Sequence, residues 1–354
     1  VPHPECVFTT GPCQRVGGLD RMFNPLGDMD LLKKSSNPEV SDGNACYSLA
    51  GAVYSVYGSQ ADAQSGSNRL ATLVTNADGY AKATGLQMGT YYVKETTPAK
   101  GYALDGTVYP VQVEPAECAH VNGGTVYDVP QDDPAIMWVG KIDSETTDNM
   151  PQGSASLAGA QYTVKYYAGY YDNAANLPSS ATRTWVVETN NEGAAVLDPA
   201  YKISGDDFYF NALGDVTIPL GTVSIQETKA PEGYLLGNQP VYLNKITSNG
   251  YVPKVETYNA PKDPEQVIKG GVKISKVDAE TGDTPQGDAS LAGIRFAIVN
   301  ESANPVTVEG ATYAKGQVVK VIETDASGAA ATATDCLPYG SYSVHEVVSG
   351  EVRH

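Results

Sequence analysis

Tyr91-Tyr-Val-Lys-Glu-Thr-Thr-Pro-Ala-Lys-Gly-Tyr-Ala-Leu-Asp105 returns later in the chain as Val223-Ser-Ile-Gln-Glu-Thr-Lys-Ala-Pro-Glu-Gly-Tyr-Leu-Leu-Gly237. A third, degraded version reads Tyr342-Ser-Val-His-Glu-Val-Val-Ser-Gly-Glu-Val352. Each begins with alternating β-forming residues, which predicts a strand. Each keeps a glutamate at the same point: Glu95, Glu227 and Glu346. In the first two, a proline and a Gly-Tyr follow, which predicts a sharp turn. A charge repeated at one strand position is either surface decoration or a working group, and its neighbours decide between them.

Those neighbours repeat too, which marks a tandem architecture. Upstream stands a short strand with a lysine: Leu31-Leu-Lys-Lys34, Val139-Gly-Lys-Ile-Asp143 and Ile274-Ser-Lys-Val-Asp278. Next comes Ser48-Leu-Ala-Gly-Ala-Val-Tyr54, then Ser156-Leu-Ala-Gly-Ala-Gln-Tyr162, then Ser290-Leu-Ala-Gly-Ile-Arg-Phe296. Small residues permit a tight turn, and the aromatic opens a buried alternation. Counted from Lys34, Lys141 and Lys276, the lysine-to-serine interval is 14, 15 and 14 residues. In the first copy Lys33 competes with Lys34, and alternation with Leu32 favours Lys34 on the inward face. A third phrase, Thr75-Asn-Ala-Asp-Gly79, Thr189-Asn-Asn-Glu-Gly193 and Thr324-Asp-Ala-Ser-Gly328, reads as a turn closed by a positive-φ glycine. Its acidic residues lack the further ligands of a calcium loop.

Two more strands are expected after each glutamate strand, near 107–113 and 124–129 in the first copy and near 239–246 and 251–258 in the second. Pro/Asp-rich joints follow at Pro130–Pro134 and Ala260–Pro264. The second copy carries an insertion near 204–217. Short strands with turns at regular spacing predict an all-β chain of tandem sandwiches. The expected bounds are an irregular segment at 1–28, then domains at 29–133, 134–265 and 266–354. Only eight residues follow Glu346, so the third domain is expected to be truncated at its C-terminal strands.

The bulk properties agree. The chain has 354 residues and a net charge of -18, from 41 acidic and 23 basic side chains. That balance argues against nucleic-acid partners, which want a basic footprint, and against anionic membrane surfaces. No apolar run reaches membrane-spanning length. The sequence opens on Val1 without a leader-type segment, as a mature or trimmed piece would. Of five cysteines, Cys6 with Cys13 and Cys46 with Cys118 are disulfide candidates, and Cys336 is left over. An oxidising, extracellular setting is compatible with such pairing. No Cys-x-x-Cys or clustered histidine set is present, so neither a metal nor a cofactor is expected.

The ordered set of phrases resembles the Cna-B family, the SpaA-type, prealbumin-like (inverse-Ig) repeat domains of Gram-positive pilins and cell-wall-anchored adhesins. The resemblance covers about residues 29–354 in three copies. In that family a lysine on the first strand, the glutamate and a final-strand Asn or Asp form an intramolecular isopeptide bond. Carried over by position, the second copy offers Lys141, Glu227 and Asn259, and the first offers Lys34, Glu95 and Asp128. The glutamate-to-acceptor interval is 33 residues in the first and 32 in the second, a close agreement between the copies. The third offers Lys276 and Glu346 with no acceptor before His354. The first copy departs from the family in having Lys-Ser-Ser for Lys-x-Asp, and Asp as acceptor.

The chemistry is intelligible without the resemblance. Burial lowers a lysine's pKa and frees its amine as a nucleophile; burial also keeps a carboxyl protonated, able to polarise a carbonyl and shuttle a proton. Against this, an edge lysine near a glutamate is commonly a solvated pair of little energetic weight. The resemblance implies a surface stalk or pilin-type segment outside the cell, with sortase and other pilus or cell-wall components as partners. It is not an enzyme beyond a single autocatalytic turnover. An adhesin binding a host surface ligand, through the extra segment Gly205–Gly221, is the second reading. A spacer module of a secreted enzyme is the third. No Leu-Pro-x-Thr-Gly motif and no pilin-type Tyr-Pro-Lys is present; Tyr258-Asn-Ala-Pro-Lys262 is a distant likeness.

Overall fold

The computed structural model describes residues 26–115, 117–133, 138–247 and 262–347. The first copy forms β1 (Leu26–Ser35), β2 (Val53–Tyr57), β3 (Arg69–Val74), β4 (Tyr80–Gln87), β5 (Gly89–Thr97), β6 (Val108–Val113) and β7 (Cys118–Asp128). Two short helices, α1 (Pro38–Ser41) and α2 (Gln60–Ser65), lie between these strands. The second copy contributes β8 (Asp132–Asp133), β9 (Trp138–Asp143), β10 (Gln161–Tyr167), β11 (Arg183–Glu188), β12 (Ala194–Val196) and β13 (Lys202–Gly205). It continues through β14 (Tyr209–Phe210), β15 (Val216–Pro219), β16 (Gly221–Lys229), β17 (Tyr234–Leu235), β18 (Val241–Ile246) and β19 (Lys262–Val267). The third adds β20 (Lys269–Gly270), β21 (Lys273–Ser275), β22 (Arg295–Asn300), β23 (Val306–Val308) and β24 (Ala311–Tyr313). It ends with β25 (Val318–Glu323), β26 (Ala329–Ala331), β27 (Leu337–Pro338) and β28 (Tyr342–Glu346). The chain is all-β, as the alternation predicts.

The described residues fall into two compact units. One gathers those of Val1–Lys34, Ala50–Thr97 and Asp105–Val126; the other gathers Ser35–Leu49, Pro98–Leu104 and the rest from Tyr127. In the first unit the sheet β4-β1-β7 faces the sheet β3-β2-β5-β6. Its core is the inward alternation of each strand: Met29 and Leu31 from β1, Tyr54 and Val56 from β2, Val93 and Val111 from β5 and β6. β1 runs antiparallel to β4. Toward β7 its ladder advances in parallel, from Asp28 N–H on Glu117 O (2.9 Å) to Ser36 N–H on Asp128 O (2.9 Å).

In the second unit, β13-β11-β10-β16-β18 and β12-β9-β19-β17 form the two large sheets. Tyr162, Val164 and Tyr166 of β10 and Val223 and Ile225 of β16 are buried, as period-two strands require. β9 and β19 are parallel, with Lys141 opposite Asp263. The third copy builds its own core from Ile298, Val306, Val308, Val319, Ile322 and Leu337. The insertion near 204–217 is a hairpin, in which β14 pairs antiparallel with β15. Asn211 Oδ1 accepts the amides of Leu213 and Asp215 at its tip, and β15 pairs with β8 at its base.

The turn phrase works as a clasp in every copy. The hydroxyls of Thr75, Thr189 and Thr324 accept the amides of Ala52, Ala160 and Ile294 at 2.9–3.0 Å. The side chains of Asn76, Asn190 and Asp325 each cap two amides further along their turns. Asp325, the acidic member of the three, therefore serves backbone geometry as the two asparagines do.

The expected Cys46–Cys118 bridge is not formed. Both are free thiols in different compact units: Cys46 is buried beyond α1 with its amide on Asn44 Oδ1, and Cys118 opens β7. Cys336 is free as well, while Cys6 and Cys13 lie outside the described residues.

Gly193 closes the second clasp at φ 71°. A Cβ there would stand 3.0 Å from Leu157 Cβ and 3.2 Å from Lys141 Cβ. Gly193→Ala is expected to cost about 1–3 kcal/mol in urea unfolding, because both backbone strain and crowding oppose it. An unchanged midpoint would contradict this account of the turn.

Candidate functional site

The repeated aromatic, glutamate and lysine meet in each copy. Tyr54, Tyr162 and Phe296 sit directly across the ladder from Glu95, Glu227 and Glu346. The lysine ammonium of each copy lies over that aromatic ring: Lys33 over Tyr54 at 5.9 Å, Lys141 over Tyr162 at 5.6 Å, Lys276 over Phe296 at 6.0 Å. The backbone amides of the three lysines donate to Gly79, Gly193 and Gly328 O, each at 2.8 Å. The clasp glycine thus sets the height of the lysine strand, and the aromatic sets the height of the glutamate.

In the first copy the inward lysine is Lys33, not Lys34. Met29, Leu31, Lys33 and Ser35 are buried in alternation, and Lys34 is exposed. The pair Leu31-Leu32 leaves the phase ambiguous. Asp30, a polar residue between two buried ones, carries the signal that resolves it. Counted from Lys33 the interval to Ser48 becomes 15 residues, matching the second copy. Lys33 Nζ donates to Glu95 Oε1 at 3.1 Å, both side chains being 0% exposed. Glu95 Oε2 accepts the Asp105 amide at 2.7 Å. Burial pulls the Lys33 amine below the ordinary lysine range, and the nearby Glu95 opposes that shift. Asp128, the last residue of β7, is buried in the second unit.

In the second copy Lys141 Nζ lies 3.0 Å from Glu227 Oε1 and 2.6 Å from Glu265 Oε1. Glu265 is on β19, parallel to the lysine strand, and it is buried. Sequence reasoning missed it because the alignment of joints points to Asn259, which lies outside the described residues. The register offers the missing signal. The amide three residues beyond the lysine donates to the last strand in both copies: Ser36 to Asp128 O, and Ser144 to Glu265 O at 2.8 Å. Glu265 therefore occupies the ladder position that Asp128 has in the first copy. Burial, followed by the hydrogen bond that the protonated carboxyl donates to Glu265, pushes the Glu227 carboxyl up to about 9, against the pull of Lys141. Glu227 is then a neutral acid at pH 7.

The Gly-Tyr of the opening phrase also finds its partner. Tyr234 Oη donates to Asp143 Oδ2 at 2.9 Å, and Asp143 caps the amides of Glu145 and Thr146 after the lysine strand. This is what Lys-x-Asp does: the lysine and the aspartate are both inward, two residues apart. A cleft of about 320 Å³ lined by Gly237, Gln239 and Tyr242 reaches Glu227 and Glu265.

In the third copy Lys276 Nζ and Glu346 Oε2 stand 2.7 Å apart, but their side chains are 30% and 47% exposed. Among the described residues no strand lies beside β21 other than β26. The same two residues, uncovered, make an ordinary surface ion pair.

The raised Glu227 carboxyl has a thermodynamic signature. Its folded pKa lies above its unfolded value, so the native state holds a proton that the unfolded chain gives up. Its contribution is present in full below about pH 4.5 and is lost as pH rises towards about 9. The unfolding midpoint of the wild type is expected to fall between pH 5 and pH 8 by more than that of Glu227→Gln, which carries no titrating group. Equal slopes in the two proteins would contradict the buried neutral acid.

The SpaA prealbumin-like fold domain model matches residues 41–123 and 140–261, together more than half of the chain. No curated protein matches it. Among solved structures, the Bacillus anthracis TIE protein aligns at a TM-score of 0.55 and 22% identity, over 92% of this chain and 46% of that one. The chain thus spans about half the length of that relative. BcpA, the major pilin subunit of Bacillus cereus, aligns at 15% identity over 91% of this chain and 87% of its own, with a TM-score of 0.30. The pilus adhesin SpaC of Lactobacillus rhamnosus GG aligns at 18% identity over 63% of this chain and 27% of its own, with a TM-score of 0.34. At these identities the structural likeness speaks to the fold alone. On the two matched segments, the chain belongs to the family of SpaA prealbumin-like fold domains.

Proposed function

We propose that this chain is an extracellular stalk or pilin-type segment of a Gram-positive surface protein, whose complete sandwiches are closed by autocatalytic isopeptide bonds. The observation that carries this reading is a lysine ammonium sealed inside a sandwich against carboxyl groups, found twice. An ion pair that deep gains little for stability over well-packed apolar residues, so its repetition calls for another use. Family membership and the net charge of -18, which suits a soluble surface, are compatible with it. In such a setting sortase and other wall components are the partners.

The buried groups are those that such a reaction needs. In the first copy, proton transfer from Lys33 to Glu95 leaves a neutral amine and a neutral acid; in the second, where Glu227 already holds a proton, the Lys141 proton passes to Glu265 at 2.6 Å. The amine attacks the side-chain carbonyl carbon on the last strand, forming the C–N bond. The glutamate, Glu95 or Glu227, donates a hydrogen bond to that carbonyl and carries the amine's proton to the leaving group. A protonated aspartic or glutamic acceptor expels water; an asparagine expels ammonia. The fold supplies the effective concentration. The pairs are Lys33 with Asp128, and Lys141 with a last-strand acceptor. For that acceptor Glu265 has the register and the 2.6 Å approach, while Asn259 has the family motif and the 32-residue interval. The product ties first strand to last and limits expansion of the unfolded chain, as a disulfide does, while surviving reduction.

Intact mass tests this. Two water-expelling bonds predict a deficit of about 36 Da, and an Asn259 acceptor about 35 Da. Lys33→Met is expected to remove one loss of about 18 Da, and Lys34→Met to remove none. Glu227→Ala is expected to restore the second copy's mass with an unchanged circular dichroism spectrum. A wild-type mass with no deficit would overturn the reading.

A second reading, adhesion, is favoured by one observation. Beside the inserted hairpin lies a cleft of about 430 Å³ bordered by Lys202, Ser204, Asp207 and Phe208, with Phe210 45% exposed at its rim. A screen against glycans and matrix proteins is expected to yield a ligand whose binding Phe210→Ala weakens, if the segment is adhesive. Binding that ignores this substitution would place the ligand elsewhere.

A further inference from the structure

Cys118 and His120 are two apart on β7, so both point to the same face of the strand. Val121 of that strand is buried, which puts this pair on the outer face of the sheet. β1 runs alongside, and its inward residues are Met29, Leu31 and Lys33, so Asp30 points outward too. The three donor groups converge: their ligand atoms lie within 4.8 Å of one another. His120 Nδ1 and Asp30 Oδ1 are 2.6 Å apart. The other Asp30 oxygen accepts the Tyr80 hydroxyl at 3.2 Å, which orients the carboxylate from a neighbouring strand. Lys82, on the neighbouring strand β4, is held by Asp28 at 2.8 Å.

We propose that Asp30, Cys118 and His120 form a binding site for a divalent ion of the zinc class. A thiolate, an imidazole and a carboxylate are the donor set that borderline ions prefer over hard ones such as calcium. Calcium and magnesium want six or more oxygens, and only the carboxylate supplies any. Three protein ligands leave one coordination position open to water. The donors stand on two adjacent strands of one sheet, so little ordering is needed on binding. Cys118 and Asp30 are half-buried and His120 is exposed, which lets an ion arrive from solvent. On binding, the thiol gives its proton to solvent, and the contact between Asp30 and His120 is exchanged for shared coordination. Charge balances: a dication meets one carboxylate and one thiolate.

The ion would staple β1 to β7 from outside the sandwich. These are the strands that the first isopeptide bond would join from within, but the metal site does not depend on that bond. Sequence spacing hides it, because Asp30 stands 88 residues before Cys118 and no Cys-x-x-Cys announces it.

The test uses the full chain, reduced with a phosphine, titrated with Zn²⁺ by calorimetry and with Co²⁺ by absorption. One equivalent is expected, with a thiolate-to-cobalt charge-transfer band. Cys118→Ser is expected to abolish the band, and Asp30→Asn and His120→Ala to weaken binding at least about tenfold. Cys46→Ser, Cys336→Ser and the double change Cys6→Ser with Cys13→Ser are expected to leave it intact. Zn²⁺ is expected to raise the unfolding midpoint of the wild type and not of Cys118→Ser. Absence of saturable binding, or a band that survives Cys118→Ser, would overturn the proposal.

Discussion

An ammonium group shut inside a β-sandwich has exchanged water for whatever the opposite sheet offers. That constraint organises both complete copies. Lys33 and Lys141 lie on strands of one sheet, and Glu95 and Glu227 answer them from the other. Breaking a charge pair held as deep as Lys33 with Glu95 typically costs about 3–5 kcal/mol. The surrounding phrases each fix one coordinate of this meeting. The clasp glycine receives the lysine's amide, the aromatic stands across from the glutamate, and the threonine hydroxyl ties the clasp to the aromatic strand. Sequence repetition is therefore repetition of a positioning device.

The third copy acts as an internal comparison. Its lysine, glutamate and aromatic keep the geometry to within a few tenths of an ångström, yet its ion pair is open to solvent. What separates a surface pair from a sealed one is cover from the last strand, which β7 and β19 supply in the first two copies. In the second copy sealing changes the chemistry, since burial pushes the Glu227 carboxyl up to about 9. The second unit has further ties between successive copies. Asn44 and Tyr47 hydrogen-bond Tyr166 and Leu220, and Gln152 accepts the Thr307 amide.

Much of this was legible beforehand, for reasons that can be named. Alternation and positive-φ glycines are local, so strands and clasps could be read directly, and the glutamates stood out because they recur in phase. Lys33 was misassigned because two leucines and two lysines in a row carry no phase, and only Asp30 breaks the tie. Glu265 was missed because strand register between the first and last strands is a long-range property that no local phrase encodes. The Cys46–Cys118 pairing failed for a similar reason: sharing a sequence copy did not put the two residues into one compact unit. The metal-type cluster at Cys118 depends on the same long-range β1–β7 pairing.

The most direct test of the central claim is tandem mass spectrometry of a proteolytic digest of the wild-type chain. The account predicts a branched peptide in which Lys141 is joined through its side chain to a residue of the last strand, and a second in which Lys33 is joined to Asp128. Recovery of both lysines on linear, unmodified peptides in full yield would contradict it.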